Sequence, residues 1–187
     1  MLPVLSLVVV LQLSNLASAP PPVVANAQDE VVRLYSAIGV PVRWQSPASP
    51  TDAHAIRVVL LPLETGDLRR MNDTVMGAAV RTDEGTSVAY VFYKRVQQEA
   101  DRYTVSSALV LACAMAHELG HLLLSPSREH AADGLMRAYW RRAEFLQAGQ
   151  RRLSFSVDES DRIRAQLADL RTLAEHDGGP GARPELH

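Results

Sequence analysis

The sequence predicts an α/β (α+β) domain. Three observations carry that expectation: short β-type runs in the first half, a long apolar helical run after residue 104, and an amphipathic helical run near the C-terminus. The 187 residues suffice for one domain with its own core and leave little room for a second. With 47% hydrophobic and 21% charged residues the chain is ordinary for a globular protein, and disorder is excluded. The 19 basic and 21 acidic residues nearly balance, so a nucleic-acid partner is not expected. The single cysteine, Cys113, excludes an intramolecular disulfide framework and a Cys-rich zinc knuckle.

The first charged residue is Asp29. Before it, Leu2 to Leu16 is apolar and too short to cross a bilayer comfortably, which takes roughly 20 residues. Small residues follow at Ala17-Ser18-Ala19 and Ala25-Asn26-Ala27. This pattern predicts a secretory signal with its linker over 1–27, cleaved after Ala27. A secreted or cell-envelope protein without stable membrane insertion follows from it. The competing expectation is a buried N-terminal strand or helix.

A single domain is then expected over 28–176. Gln28 to Ile38 carries Val31, Val32, Leu34, Tyr35 and Ile38 at helical spacing, and Gly39 ends it. Residues 40–53 read as turns, with Pro41, Pro47, Pro50 and Asp52. Ile56 to Leu63 reads as a buried strand, and Gly77 to Arg81 with Ser87 to Val96 as a hairpin across Thr82-Asp83-Glu84-Gly85-Thr86. Thr104 to Leu124 is apolar all round its central part, as in a buried helix, and Ser125-Pro126 stops it. Cys113 lies mid-helix as a small core residue. Arg151 to Val157 suggests a short strand, and Asp158 to Ala174 a helix with Ile163, Leu167, Leu170 and Ala174 on one face. The tail, 177–187, is expected to be disordered.

The chemistry concentrates in His117-Glu118-Leu119-Gly120-His121. Histidines four apart on a helix lie one turn above each other and can share one cation. Imidazole suits Zn²⁺, and the adjacent Glu118 can reach a metal-activated water. Composition alone yields this pattern roughly 0.01 times per chain. A plain apolar helix would also not bury two imidazoles and a carboxyl without partners, since that costs several kcal/mol. His130 is the expected third ligand, with Glu129 or Asp133 as alternatives; three protein ligands leave a position open for water. Met136, six residues after His130, could floor the metal site.

With these residues in hand, the chain resembles the metzincin zinc peptidases, most of all the matrixin-like ones. The resemblance rests on His117-Glu118-Leu119-Gly120-His121, His130 and Gly134-Leu135-Met136. It implies a zincin domain with a twisted, mostly parallel sheet, a central active-site helix, a Met turn and a C-terminal helix. It implies His117, His121 and His130 as zinc ligands, Glu118 as general base and Met136 as the turn methionine. The family's usual glycine and third histidine would fall at positions that here hold Leu124 and Ser127, so the third histidine is displaced by three residues. Tyr139 is a possible transition-state donor, one residue beyond the place where some metzincins carry a tyrosine.

The expected activity is cleavage of peptide or protein substrates by a zinc-activated water, with Glu118 moving the proton. Such substrates lie antiparallel along an exposed strand, here Ser87 to Val96 or Gly77 to Arg81. Arg137, Arg141, Arg142, Arg151 and Arg152 form a basic run that reads first as a solvated face and second as a preference for acidic substrates. Two other functions stay open: a zinc-stabilised binding domain with weak turnover, and a zinc hydrolase of a non-peptide amide. Oligomeric state is not legible.

Overall fold

A five-stranded sheet organises the described residues, which in this computed structural model are 8–46, 55–63, 75–82, 86–124 and 130–177. Its strands are β1 (Val9–Asn15), β2 (Val42–Gln45), β3 (Ile56–Leu61), β4 (Gly77–Arg81) and β5 (Ser87–Phe92), in the spatial order β2-β1-β3-β5-β4. The β1–β2, β1–β3 and β3–β5 pairs are parallel; β4 and β5 form an antiparallel hairpin at one edge. The helices are α1 (Pro21–Ser36), α2 (Tyr93–Tyr103), α3 (Ser107–Leu123), α4 (Arg142–Gly149) and α5 (Val157–Asp177). The mixed α/β class and the mostly parallel sheet agree with expectation.

At the N-terminus the structure follows the competing expectation of a buried element. Val9–Asn15 is a strand lying between β2 and β3, and the boundary at residue 27 falls inside α1. The physical reason is visible in the residues. Val9, Leu11 and Leu13 are buried while Val10, Gln12 and Ser14 are half-buried, the period of two that fits one strand face to a core. Leu16 then donates its backbone N–H to the Leu60 carbonyl, and Asn15 holds the turn through both Ala19 backbone groups. The prolines that read as a linker open α1, where Pro21 and Pro22 occupy first-turn positions that lack an intrahelical N–H partner anyway.

Other departures are local. β2 occupies part of the stretch read as turns. β5 stops at Phe92, and Tyr93 opens α2 instead of continuing a strand to Val96; Val96 and Ala100, four apart, are buried. Residues 151–156 are not a strand, although Leu153 and Phe155 are buried. In α5, Ile163 and Leu167 are buried but Leu170 is exposed. The remainder of the expected disordered tail, 178–187, lies outside the described residues. Among the described residues no helix is long and apolar enough to cross a membrane.

α3 is the centre of the domain, packing against α1, α2, α4, α5, β4 and β5. Its run from Val110 to Gly120 is buried without a break. Apolarity on all sides is what such enclosure requires. Cys113 is part of this core, and burial pushes its thiol up to about 12. Tyr35 of α1 ties the two helices together by donating its hydroxyl to the Ala116 carbonyl at 2.9 Å.

Candidate metal centre

The helical spacing of His117 and His121 sets both rings on one side of α3, with Nε2 atoms 3.0 Å apart. His130 joins them from the segment after the helix; its ring centroid is 5.3 Å from that of His117 and 4.9 Å from that of His121. One ligand nitrogen from each histidine falls within a set no wider than 4.8 Å, close enough to hold a metal ion. His117 is buried, His121 half-buried and His130 exposed, so the centre opens to solvent on the His130 side. Asp133 is not part of this cluster. Glu129, like Ser125-Pro126, lies outside the described residues.

The loop after His130 builds the rest of the centre. Ala131 N–H donates to the Met136 carbonyl, and Leu135 N–H to the Ser154 carbonyl. The carbonyl of Leu135 faces His117 Nδ1 at 2.9 Å. A carbonyl can only accept, so Nδ1 carries the proton and Nε2 keeps its lone pair for a cation. Burial also holds His117 in the neutral form, lowering it to about 3. Met136 is buried against Gly120. A β-carbon at Gly120 would lie 2.5 Å from the Met136 sulfur, so α3 and this loop meet only because Gly120 has none. Trp140 packs edge-on against His117, with centroids 5.4 Å apart.

Glu118 lines the same cleft as the three histidines and is buried at 7% exposure. Burial raises its carboxyl from 4.5 to about 8. It lies against β4: a β-carbon on Gly77 would come within 2.6 Å of Glu118 Cγ and 2.7 Å of Oε1. A cleft of about 400 Å³ is lined by His117, Glu118, His121 and His130 together with β4 and the 137–140 segment. Tyr139 lines it too and is 54% exposed.

β4 is the edge strand, and β5 is interior. Phe92 N–H donates to the Met76 carbonyl, and Thr82 N–H to the Thr86 carbonyl. In an antiparallel ladder these bonded pairs alternate with unbonded ones, so Gly77, Ala79 and Arg81 turn their backbone N–H and C=O away from β5. Of the two candidate substrate strands, only Gly77 to Arg81 presents such an edge among the described residues.

The basic run does not form one face on the cleft. Arg137 lines it and pairs with Glu144, whereas Glu144 Oε2 also accepts the Arg141 backbone N–H at the start of α4. Of the residues singled out in the sequence, His117, Glu118, His121, His130 and Tyr139 line one cleft, whereas Met136 is not among its lining residues. Sequence reasoning missed Gly77, Arg81, Trp140 and the Leu135 carbonyl. A backbone acceptor has no side-chain signature, and the contact between Gly77 and Glu118 joins residues far apart in the chain.

No protein-family model and no curated protein sequence matches this chain.

Proposed function

We propose that the protein is a zinc-dependent metalloendopeptidase of the metzincin type that its histidine motif resembles. The observation that carries this reading is the buried carboxyl of Glu118 lining one cleft with three convergent imidazoles and an open strand edge. The donor set suits zinc. Zn–N bonds of about 2.0–2.1 Å in a tetrahedron put ligand nitrogens roughly 3.3 Å apart. The 3.0 Å between the two Nε2 atoms is of that order. The proton on His117 Nδ1 is the second-sphere arrangement that orients a ligating imidazole.

Bound zinc would supply a Lewis acid that polarises a substrate carbonyl and acidifies water. The chain's own residues supply the rest. Gly77, Ala79 and Arg81 offer backbone groups on which an extended peptide adds as an antiparallel strand. A Glu118 carboxylate oxygen takes the proton of the attacking water and returns it to the leaving amine nitrogen. The Tyr139 hydroxyl, at the cleft surface, is a candidate donor to the developing oxyanion. Export by removal of residues 1–27 is not part of this reading, because β1 and the start of α1 lie in that segment.

The test is cleavage of a diverse peptide library by the zinc-loaded full chain, followed by mass spectrometry and run beside Glu118→Ala. Cuts present in the native protein and absent in the variant are expected. Stoichiometric zinc in both proteins without cuts in either would replace this reading with a zinc-stabilised binding domain or a hydrolase of a non-peptide amide.

A further inference from the structure

Side chains alternate along β4. The Gly77 position faces Glu118, so by the period of two Ala79 and Arg81 lie on the same side of the strand. Arg81 bears this out at the other end: its Nη2 donates to the Leu122 carbonyl at 2.7 Å, one residue past His121. The guanidinium is thereby fixed to the cleft wall by one of its five N–H donors. Among the described residues no carboxylate pairs with it. The other cleft arginine, Arg137, is neutralised by Glu144. The remaining acid of the cleft, Glu118, sits at the opposite end of β4.

Resting on the peptidase reading, we infer that Arg81 is a specificity residue that binds a substrate carboxylate. A peptide antiparallel to β4 runs from the Arg81 end towards the Gly77 end, so Arg81 meets residues N-terminal to those beside Glu118. Four residues of strand span roughly 13 Å, which places the acidic side chain about four residues before the substrate residue beside Gly77 and Glu118. The planar fork of a guanidinium matches a carboxylate through two parallel hydrogen bonds, a fit that an amide of the same shape lacks.

The experiment compares matched peptides carrying Glu or Gln at that position. kcat/KM is measured on the zinc-loaded full chain, Arg81→Gln and Arg81→Glu. Arg81→Gln keeps an amide donor for the Leu122 carbonyl, and thermal melting checks its fold. The native protein should favour the Glu peptide roughly fivefold, the size expected for a solvent-facing charge pair. That ratio should fall to about one in Arg81→Gln and invert in Arg81→Glu. The same peptides are titrated against zinc-loaded Glu118→Ala, with and without Arg81→Gln, by fluorescence anisotropy. An Arg81-dependent binding preference without any turnover would sink the peptidase reading and keep the acid recognition. Equal treatment of the Glu and Gln peptides by the native chain, or a preference that survives Arg81→Gln, overturns the inference.

Discussion

Gly77 and Glu118 meet with no room for another carbon, since a β-carbon would come within 2.6 Å of Glu118 Cγ. Glu118 cannot swing aside freely because it is buried. Gly77→Ala should therefore displace the carboxyl and, because the same β-carbon would lie 2.7 Å from the Tyr90 carbonyl oxygen, shift the edge strand, while the three histidines on other elements stay in place. On the proposed peptidase reading, kcat should drop by roughly a hundredfold, with zinc affinity nearly unchanged. Steady-state kinetics beside a zinc titration reads both. Glu118 also sets a pH signature in the metal-free protein. Its folded value is raised from 4.5 to about 8, so the folded chain keeps a proton that the unfolded chain has released across that window. Its contribution to stability is full below 4.5 and is lost as the pH rises to 8. The stability of metal-free Glu118→Gln relative to the native protein should thus grow between about pH 5 and pH 8, as read by denaturant unfolding.

At the scale of elements, α3 owes its position to its neighbours as much as to its own pattern. The Tyr35 hydroxyl anchors the carbonyl of Ala116, the residue before His117. Tyr35→Phe removes a buried donor from that carbonyl, which keeps its place in the helix's own bonding, and should cost about 1 kcal/mol in chemical unfolding. The helix itself was legible because an unbroken apolar stretch with two histidines at helical spacing has one sensible reading. The hairpin was legible from two β-type runs around an Asp/Gly turn. α2 was not, because Val91, Phe92 and Tyr93 continue a β-type run straight into its first residue. α4 is eight residues long, and its charged end disguised Phe145 and Ala148, the buried apolar residues that seat it. Met136 was placed by its distance from His130, whereas its seat on Gly120 required the fold.

For the whole molecule, the largest difference lies at the N-terminus. An uncharged apolar run followed by small residues satisfies a signal sequence and a sheet-interior strand equally well. What separates them is the alternation from Val9 to Ser14 and the parallel partners on both sides, which become visible only when the sheet is assembled. Removing residues 1–27 takes β1 from between β2 and β3 along with the first turns of α1. That truncation should lose cooperative thermal unfolding, as followed by circular dichroism; a truncated chain that melts like the full one would speak for a detachable leader. The central claim is that this fold brings His117, His121 and His130 together around one metal ion. Zinc titration of the full chain, with a competing chelator and each histidine changed to alanine in turn, tests it most directly. The account predicts one zinc per chain, with affinity falling by about a hundredfold or more in each of the three variants. Native affinity in His130→Ala, or no stoichiometric zinc in the native protein, would contradict it.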